Sequence, residues 1–84
     1  MFTLKEIAES LSMSFEGDGT IAISGPSEPK KAKKDHLALA LNEKFLRDLK
    51  KGSALTALLM PGTNWKGLGL KGALFVKRSR YGVA

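Results

Sequence analysis

Leu4, Ile7, Ala8 and Leu11 recur at helical spacing, with Lys5, Glu9 and Ser10 on the opposite side. Thr3 and Glu6 make a T-x-x-E capping box, and Phe2 with Ile7 a hydrophobic staple, so a first helix is predicted over 4–12. The period then drops to two. Met13 and Phe15 alternate with Ser14 and Glu16, and Ile21 and Ile23 alternate with Thr20, Ala22 and Ser24. Gly17-Asp18-Gly19 lies between them and tolerates positive φ. Residues 13–25 therefore read as a β-hairpin, ended by Gly25-Pro26. A polar connection follows over 26–36, in which Pro29 opposes a helix across its start. Leu37–Leu41 is an apolar run suited to a buried strand. Asn42 is placed to cap a second helix that buries Phe45, Leu46 and Leu49. Lys50 and Lys51 fall in its last turn, and Gly52 stops it. Ala54 to Met60 suits a strand buried on both faces of a parallel sheet, with Pro61-Gly62 as its stop. A long loop holding Asn64 and Trp65 leads to Gly72 and a last strand over 73–76, and Lys77 to Ala84 reads as the beginning of a further segment.

This order of helix, hairpin, β-α-β and further strand predicts an α/β fold, a small mixed sheet of about five strands flanked by two short helices. Eighty-four residues leave room for one domain. A chain this short buries only about 60% of its unfolded surface and encloses no large catalytic cavity. With 43% hydrophobic and 26% charged residues, the composition is that of an ordinary globular protein rather than a disordered one. Cysteine is absent, which excludes a disulfide scaffold, thiolate metal sites and cysteine nucleophiles. The single histidine, His36, argues against a histidine-rich metal site and reads as a hydrogen-bonding residue at a loop-to-strand junction. No apolar run approaches the ~18 residues of a membrane span. The N-terminus lacks the pattern of a secretory signal, so the expected compartment is the cytoplasm.

Charge changes this picture more than composition does. Residues 1–29 carry one base and five acids, net −4; residues 30–51 carry eight bases and three acids, net +5; residues 52–84 carry five bases and no acid, net +5. A basic two-thirds attracts phosphate, whether in a nucleotide, a nucleic acid or a membrane surface. Lys30, Lys31, Lys33 and Lys34 repel one another and are expected to be solvated. Gly67, Gly69 and Gly72 match G-x-G-x-x-G, but the pattern precedes a strand and opens no helix, so it is no dinucleotide fingerprint. Asp18 is explained by its turn, and Glu6, Glu9 and Glu16 form no evident catalytic pair. Asn42 and Phe45 lie one helical turn apart. An amide with both donor and acceptor beside an aromatic ring suits a planar heterocycle, read at its edge and stacked on its face. The same two residues also suit an N-cap and a core phenylalanine.

Residues 4–25 combine a helix, a GDG turn and a strand ending in ISG, and residues 35–49 run from a strand into an asparagine, a lysine and an aromatic. With the strands at ALTALLM and ALFVKRSRYGVA, this order resembles the N-terminal domain of the UDP-3-O-(3-hydroxyacyl)glucosamine N-acyltransferases of lipid A biosynthesis. The N-terminal domains of Mur ligases have a related look. The resemblance covers nearly the whole chain. It implies that residues 1–84 are one N-terminal nucleotide-binding domain of a longer enzyme. In that family uracil lies between two aromatic rings, each three residues from an asparagine. Asn42 matches the asparagine and Phe45 the second aromatic position, usually tyrosine. Leu39 stands where the first aromatic is expected, a departure that removes one stacking face. Lys44 and Arg47 are candidate phosphate contacts.

The family's catalytic histidine lies in a left-handed β-helix of hexapeptide repeats, which this chain lacks. No catalytic residue, cofactor or metal is therefore expected here. Transfer of the acyl chain from acyl carrier protein to the glucosamine 2-amine of the UDP-sugar belongs to the whole enzyme. The isolated domain is expected to be a monomer and the parent enzyme a homotrimer. Two rival readings accompany this one. A small basic nucleic-acid-binding module accounts for the charge, although Phe45, Trp65, Phe75 and Tyr81 are not spaced as a stacking platform. A ligand-free packing or interaction domain accounts for Leu39.

Overall fold

The computed structural model describes residues 1–77. In chain order its elements are β1 (Phe2–Thr3), α1 (Leu4–Leu11), β2 (Ser14–Gly17), β3 (Ala22–Ile23), β4 (Gly25–Ser27), β5 (His36–Leu39), α2 (Glu43–Asp48), β6 (Thr56–Leu59) and β7 (Gly72–Phe75). Short 3-10 turns stand at Pro29–Lys31, Leu49–Lys51 and Lys66–Leu68. The further segment expected beyond Lys77 lies outside the described residues.

The capping box forms as the sequence predicts. The Glu6 amide donates to Thr3 Oγ1 at 3.1 Å, and the Thr3 amide donates to the Glu6 carboxylate at 2.9 Å. The helix ends where Ser12 turns left-handed at φ 55°. The expected hairpin over 13–25 does not form. β2 pairs antiparallel with β7, and β3 pairs with β1. The first amides of a helix lack partners within the helix. Here the Gly19 and Ile21 carbonyls take the Lys5 and Leu4 amides, each at 2.9 Å. Asp18 shapes that detour by accepting from the Thr20 amide and hydroxyl at 2.9 and 2.6 Å. Serving the helix start thus draws residues 19–23 away from β2, which finds a four-residue partner in β7 instead.

Two proline expectations are also corrected. Gly25-Pro26 does not end a strand; it lies in β4, the edge strand, paired in parallel with β5. An edge position lets proline lack a donor without breaking the ladder. Pro29 does not oppose helical structure at its position. It opens a 3-10 turn and is buried there, because a first-turn residue needs no amide donor.

The main sheet has the order β2-β7-β6-β5-β4, with β4 to β7 parallel and β2 antiparallel at one edge. This is the expected mixed five-stranded sheet with two helices. Register sorts its residues into two faces. Ala38, Ala57 and Ala73 are cross-strand neighbours in one row, all fully buried. The next row, on the other face, is Leu39, Leu58, Leu74 and Phe15. Phe45, Leu46, Leu49, Trp65, Leu68 and Leu70 belong to the core on the alanine side. Leu4 and Ala8 of α1 fill the leucine side with Ile23 and Leu37. The start of α1 presses close because Gly72 has no side chain; a Cβ there would lie 2.7 Å from Leu4 Cδ2.

Candidate nucleotide site

Open α/β sheets hold ligands outside the carboxyl ends of their parallel strands. Leu39, Asn42 and Phe45 mark that end of β5, where the strand gives way to α2. Pairing continues one residue beyond the strand, with the Ala40 amide donating to the Leu58 carbonyl at 3.0 Å. Asn42 then adopts extended backbone, φ −141° and ψ 170°, and begins the helix. Its Oδ1 accepts from the Phe45 amide at 2.9 Å, and its carbonyl accepts from the Leu46 amide at 2.9 Å. The amide oxygen keeps a second lone pair, and Nδ2 donates to no described residue. Asn42 as a whole is exposed.

Phe45 is half-buried and packs against the alanine-side core. Asn42 and Phe45 are thus brought together at one helix start. Leu39 lies at the same strand end but in the leucine row, 38% exposed. There it lines a hollow of about 310 Å³ together with Phe2, Ile7, Leu11 and Leu58. Lys44 and Arg47 are exposed on α2 and pair with no carboxylate among the described residues.

The remaining candidates are placed as structural groups. His36 Nδ1 accepts from the Lys33 amide at 3.0 Å, the junction hydrogen bond expected of it. Gly67 lies in a 3-10 turn, Gly69 is left-handed at φ 78°, and Gly72 begins β7, so no helix follows the glycines. Among the described residues no group of three His, Cys, Asp or Glu side chains is placed to hold a metal ion, and no helix is long and apolar enough to cross a membrane.

Sequence reasoning missed a second hollow of about 370 Å³ at the carboxyl ends of β6 and β7, lined by Ser12, Ser14, Glu16, Pro61 and Val76. It also missed that Trp65 Nε1 donates to Glu16 Oε1 at 2.9 Å, across 49 residues of chain. The Pro61-Gly62 stop was the one local signal for the hollow. Nothing local links Glu16 to Trp65, because their meeting follows from the β2–β7 pairing.

Together these features define a small open-sheet α/β domain whose candidate site is a polar helix start at a strand's carboxyl end. No protein-family profile matches the chain. It is similar to UDP-3-O-acylglucosamine N-acyltransferase from Ruegeria pomeroyi, with 36% identity over 83 residues, 99% of its own length. A protein of the same name from Paracoccus denitrificans is 33% identical over 82 residues. The chain spans 23% and 22% of these two relatives. Its whole length therefore resembles less than a quarter of a UDP-3-O-acylglucosamine N-acyltransferase.

Proposed function

We propose that the chain is the uridine-binding N-terminal domain of a UDP-3-O-acylglucosamine N-acyltransferase. The observation that carries this reading is the exposed Asn42 amide at the end of β5, in a chain similar over its whole length to enzymes of that name. In this reading Asn42 Oδ1 accepts from the uracil N3–H with its remaining lone pair, and Nδ2 donates to a uracil carbonyl. Phe45 supplies one ring face; Leu39, in the opposite row of the sheet, supplies no second ring. Lys44 and Arg47 offset charge near the diphosphate. Anchoring the nucleotide places the glucosamine amine for acyl transfer elsewhere in the longer enzyme, so remote binding energy is spent on positioning.

Amide-resolved NMR titration with UMP and UDP-N-acetylglucosamine tests this. Saturable shifts are expected from Leu39 to Arg47 with both ligands. Asn42→Ser keeps an oxygen for the helix cap but removes the amide, so it should abolish binding while the α2 amides stay in place. Wild-type protein that shows no saturable shifts with either ligand, or Asn42→Ser binding as well as wild type, refutes the assignment.

A further inference from the structure

The two lysine pairs that the sequence separates by some twenty residues meet in the fold. Lys30 and Lys31 end one 3-10 turn, and Lys50 and Lys51 end another. The two turns pack against each other. Their backbones are locked together: the Ser53 amide donates to the Ala32 carbonyl at 2.7 Å. Gly52 also lies so close to the Pro29 carbonyl that a Cβ there would collide with it. Lys33 and Lys34 follow the first turn directly in the chain, with the Lys33 amide held by His36. All six lysines are exposed. Lys31 approaches Glu28 at 4.0 Å and Lys51 approaches Asp48 at 3.4 Å. Lys30, Lys33, Lys34 and Lys50 pair with no carboxylate among the described residues.

This edge is separate from the nucleotide site. Lys33 and Lys34 lead into the amino end of β5, and Lys50 and Lys51 lead back toward the amino end of β6. Leu39 and Asn42 stand at the carboxyl end. None of the six lysines lines either hollow described above. Gathering like charges costs repulsion; packed backbone holds the turns together, and Glu28 and Asp48 offset two of the six charges.

We propose that this lysine edge is a docking surface for an anionic phospholipid membrane. Two features favour a lipid surface over nucleic acid. The charges are ammonium groups on flexible stems, without the planar arginine fork that grips an individual phosphate. Residues 29–34 and 49–53, which carry these lysines, contain no phenylalanine, tyrosine or tryptophan to stack on bases. Mobile headgroups can rearrange beneath such a surface, and juxtaposed lysines add to one another within a screening length. This inference goes beyond the uridine reading and does not depend on it.

Co-sedimentation of the 84-residue chain with two kinds of vesicle tests it: phosphatidylcholine alone, and equal parts phosphatidylcholine and phosphatidylglycerol. Binding is expected to the anionic vesicles only and to fade as salt is added. Replacing Lys30, Lys33, Lys34 and Lys50 by Gln should weaken it by about fivefold per lysine. These exposed residues are remote from the core, so circular dichroism should be unchanged. Equal binding to both vesicles, absence of binding, or a quadruple variant that binds normally overturns the proposal. So does tighter binding of a single-stranded RNA at the same ionic strength, or displacement by inorganic phosphate beyond its ionic-strength effect.

Discussion

The two faces of the sheet solve the same packing problem in opposite ways. On one face the sheet contributes Leu58, Leu74 and Phe15, and the cover is the eight-residue helix α1 with Ile23 of β3. On the other it contributes Ala38, Ala57 and Ala73, and the bulk comes from the cover: Phe45, Leu46, Leu49, Trp65, Leu68 and Leu70. Small residues let α2 and its flanking turns sit close to the strands, so a broken, irregular cover still excludes water. The leucine face is bulky in the sheet but covered only in part. Phe2 and Leu11 remain 63% and 52% exposed beside Leu39. The lesson is that burial here depends on how completely a face is covered, not on how apolar its strands are.

The strongest way to break the comparison is to remove matched leucines from the two faces. Leu74 and Leu59 are both fully buried, one on each side. Truncating either to alanine should cost about 2–5 kcal/mol by lost transfer energy plus a residual cavity. In a domain this small, that is a large part of total stability. Leu74→Ala is expected at the lower end, because the incompletely covered leucine face can relax into its hollow. Urea unfolding of the two variants checks the order. The reverse experiment is Ala57→Leu. It inserts bulk where the cover already fills the space and should cost about 1–3 kcal/mol. An Ala57→Leu protein as stable as wild type would mean that the alanine face is loosely packed after all.

Leu39 joins the two faces to the proposed nucleotide site. If the uridine reading holds, Leu39→Phe restores an aromatic at the position where the resemblance expects one. It should tighten UMP binding by about 1–3 kcal/mol, the worth of one base stack. Isothermal titration of both proteins measures it directly. Unchanged affinity would place the nucleobase on the Phe45 side alone, because the 39 side chain belongs to the opposite row of the sheet. A smaller effect is expected at Asn42. Asn42→Ala removes the α2 cap and should cost about 1 kcal/mol, while Asn42→Ser should cost little in stability. Thermal melts separate the cap from the ligand role tested by titration.

Much of this was legible in the sequence because it is local. The capping box, the Asn42 cap and the strands expected over 37–41, 54–60 and 73–76 depend on spacing within a few residues, although the strands form as His36–Leu39, Thr56–Leu59 and Gly72–Phe75 and leave Leu39 and Leu41 exposed. The hairpin was not legible for the opposite reason. Gly17-Asp18-Gly19 does turn the chain, but whether Ile21 and Ile23 then pair with β2 is decided elsewhere, by unfilled amides at Leu4 and Lys5 and by the availability of β7. The candidate site divides along the same line. Asn42 and Phe45 are linked through one helix turn and could be read together. That Leu39 falls on the leucine face, and that two lysine pairs converge, are consequences of register and crossover that no local pattern contains.

The finest difference between the faces is how their helices respond to acid. The cap of α1 is a carboxylate system, whereas the cap of α2 is the neutral amide of Asn42. Hydrogen bonds from the Thr3 amide and then the Thr3 hydroxyl hold the Glu6 carboxyl below its ordinary value of 4.5. The Thr20 hydroxyl and amide likewise hold Asp18 below 3.8. In both cases the folded protein favours the ionised form. The stabilisation is therefore present in full above the ordinary values and is lost as pH falls through the lowered ones. Asp18 shapes the turn whose Gly19 and Ile21 carbonyls hold the start of α1, so both groups act on the leucine side. Acid should loosen α1 before α2. In a pH titration followed by NMR, the Thr3 amide should move with a midpoint below 4.5 and the Thr20 amide with one below 3.8. The Phe45 amide, capped by Asn42, should stay still over the same range. Glu6→Gln should remove the Thr3 transition and leave the Thr20 transition in place. A Phe45 amide that moves together with Thr3 would mean that the two helices unfold as one unit, and the separate cover of the two faces would then have no consequence for how the domain opens.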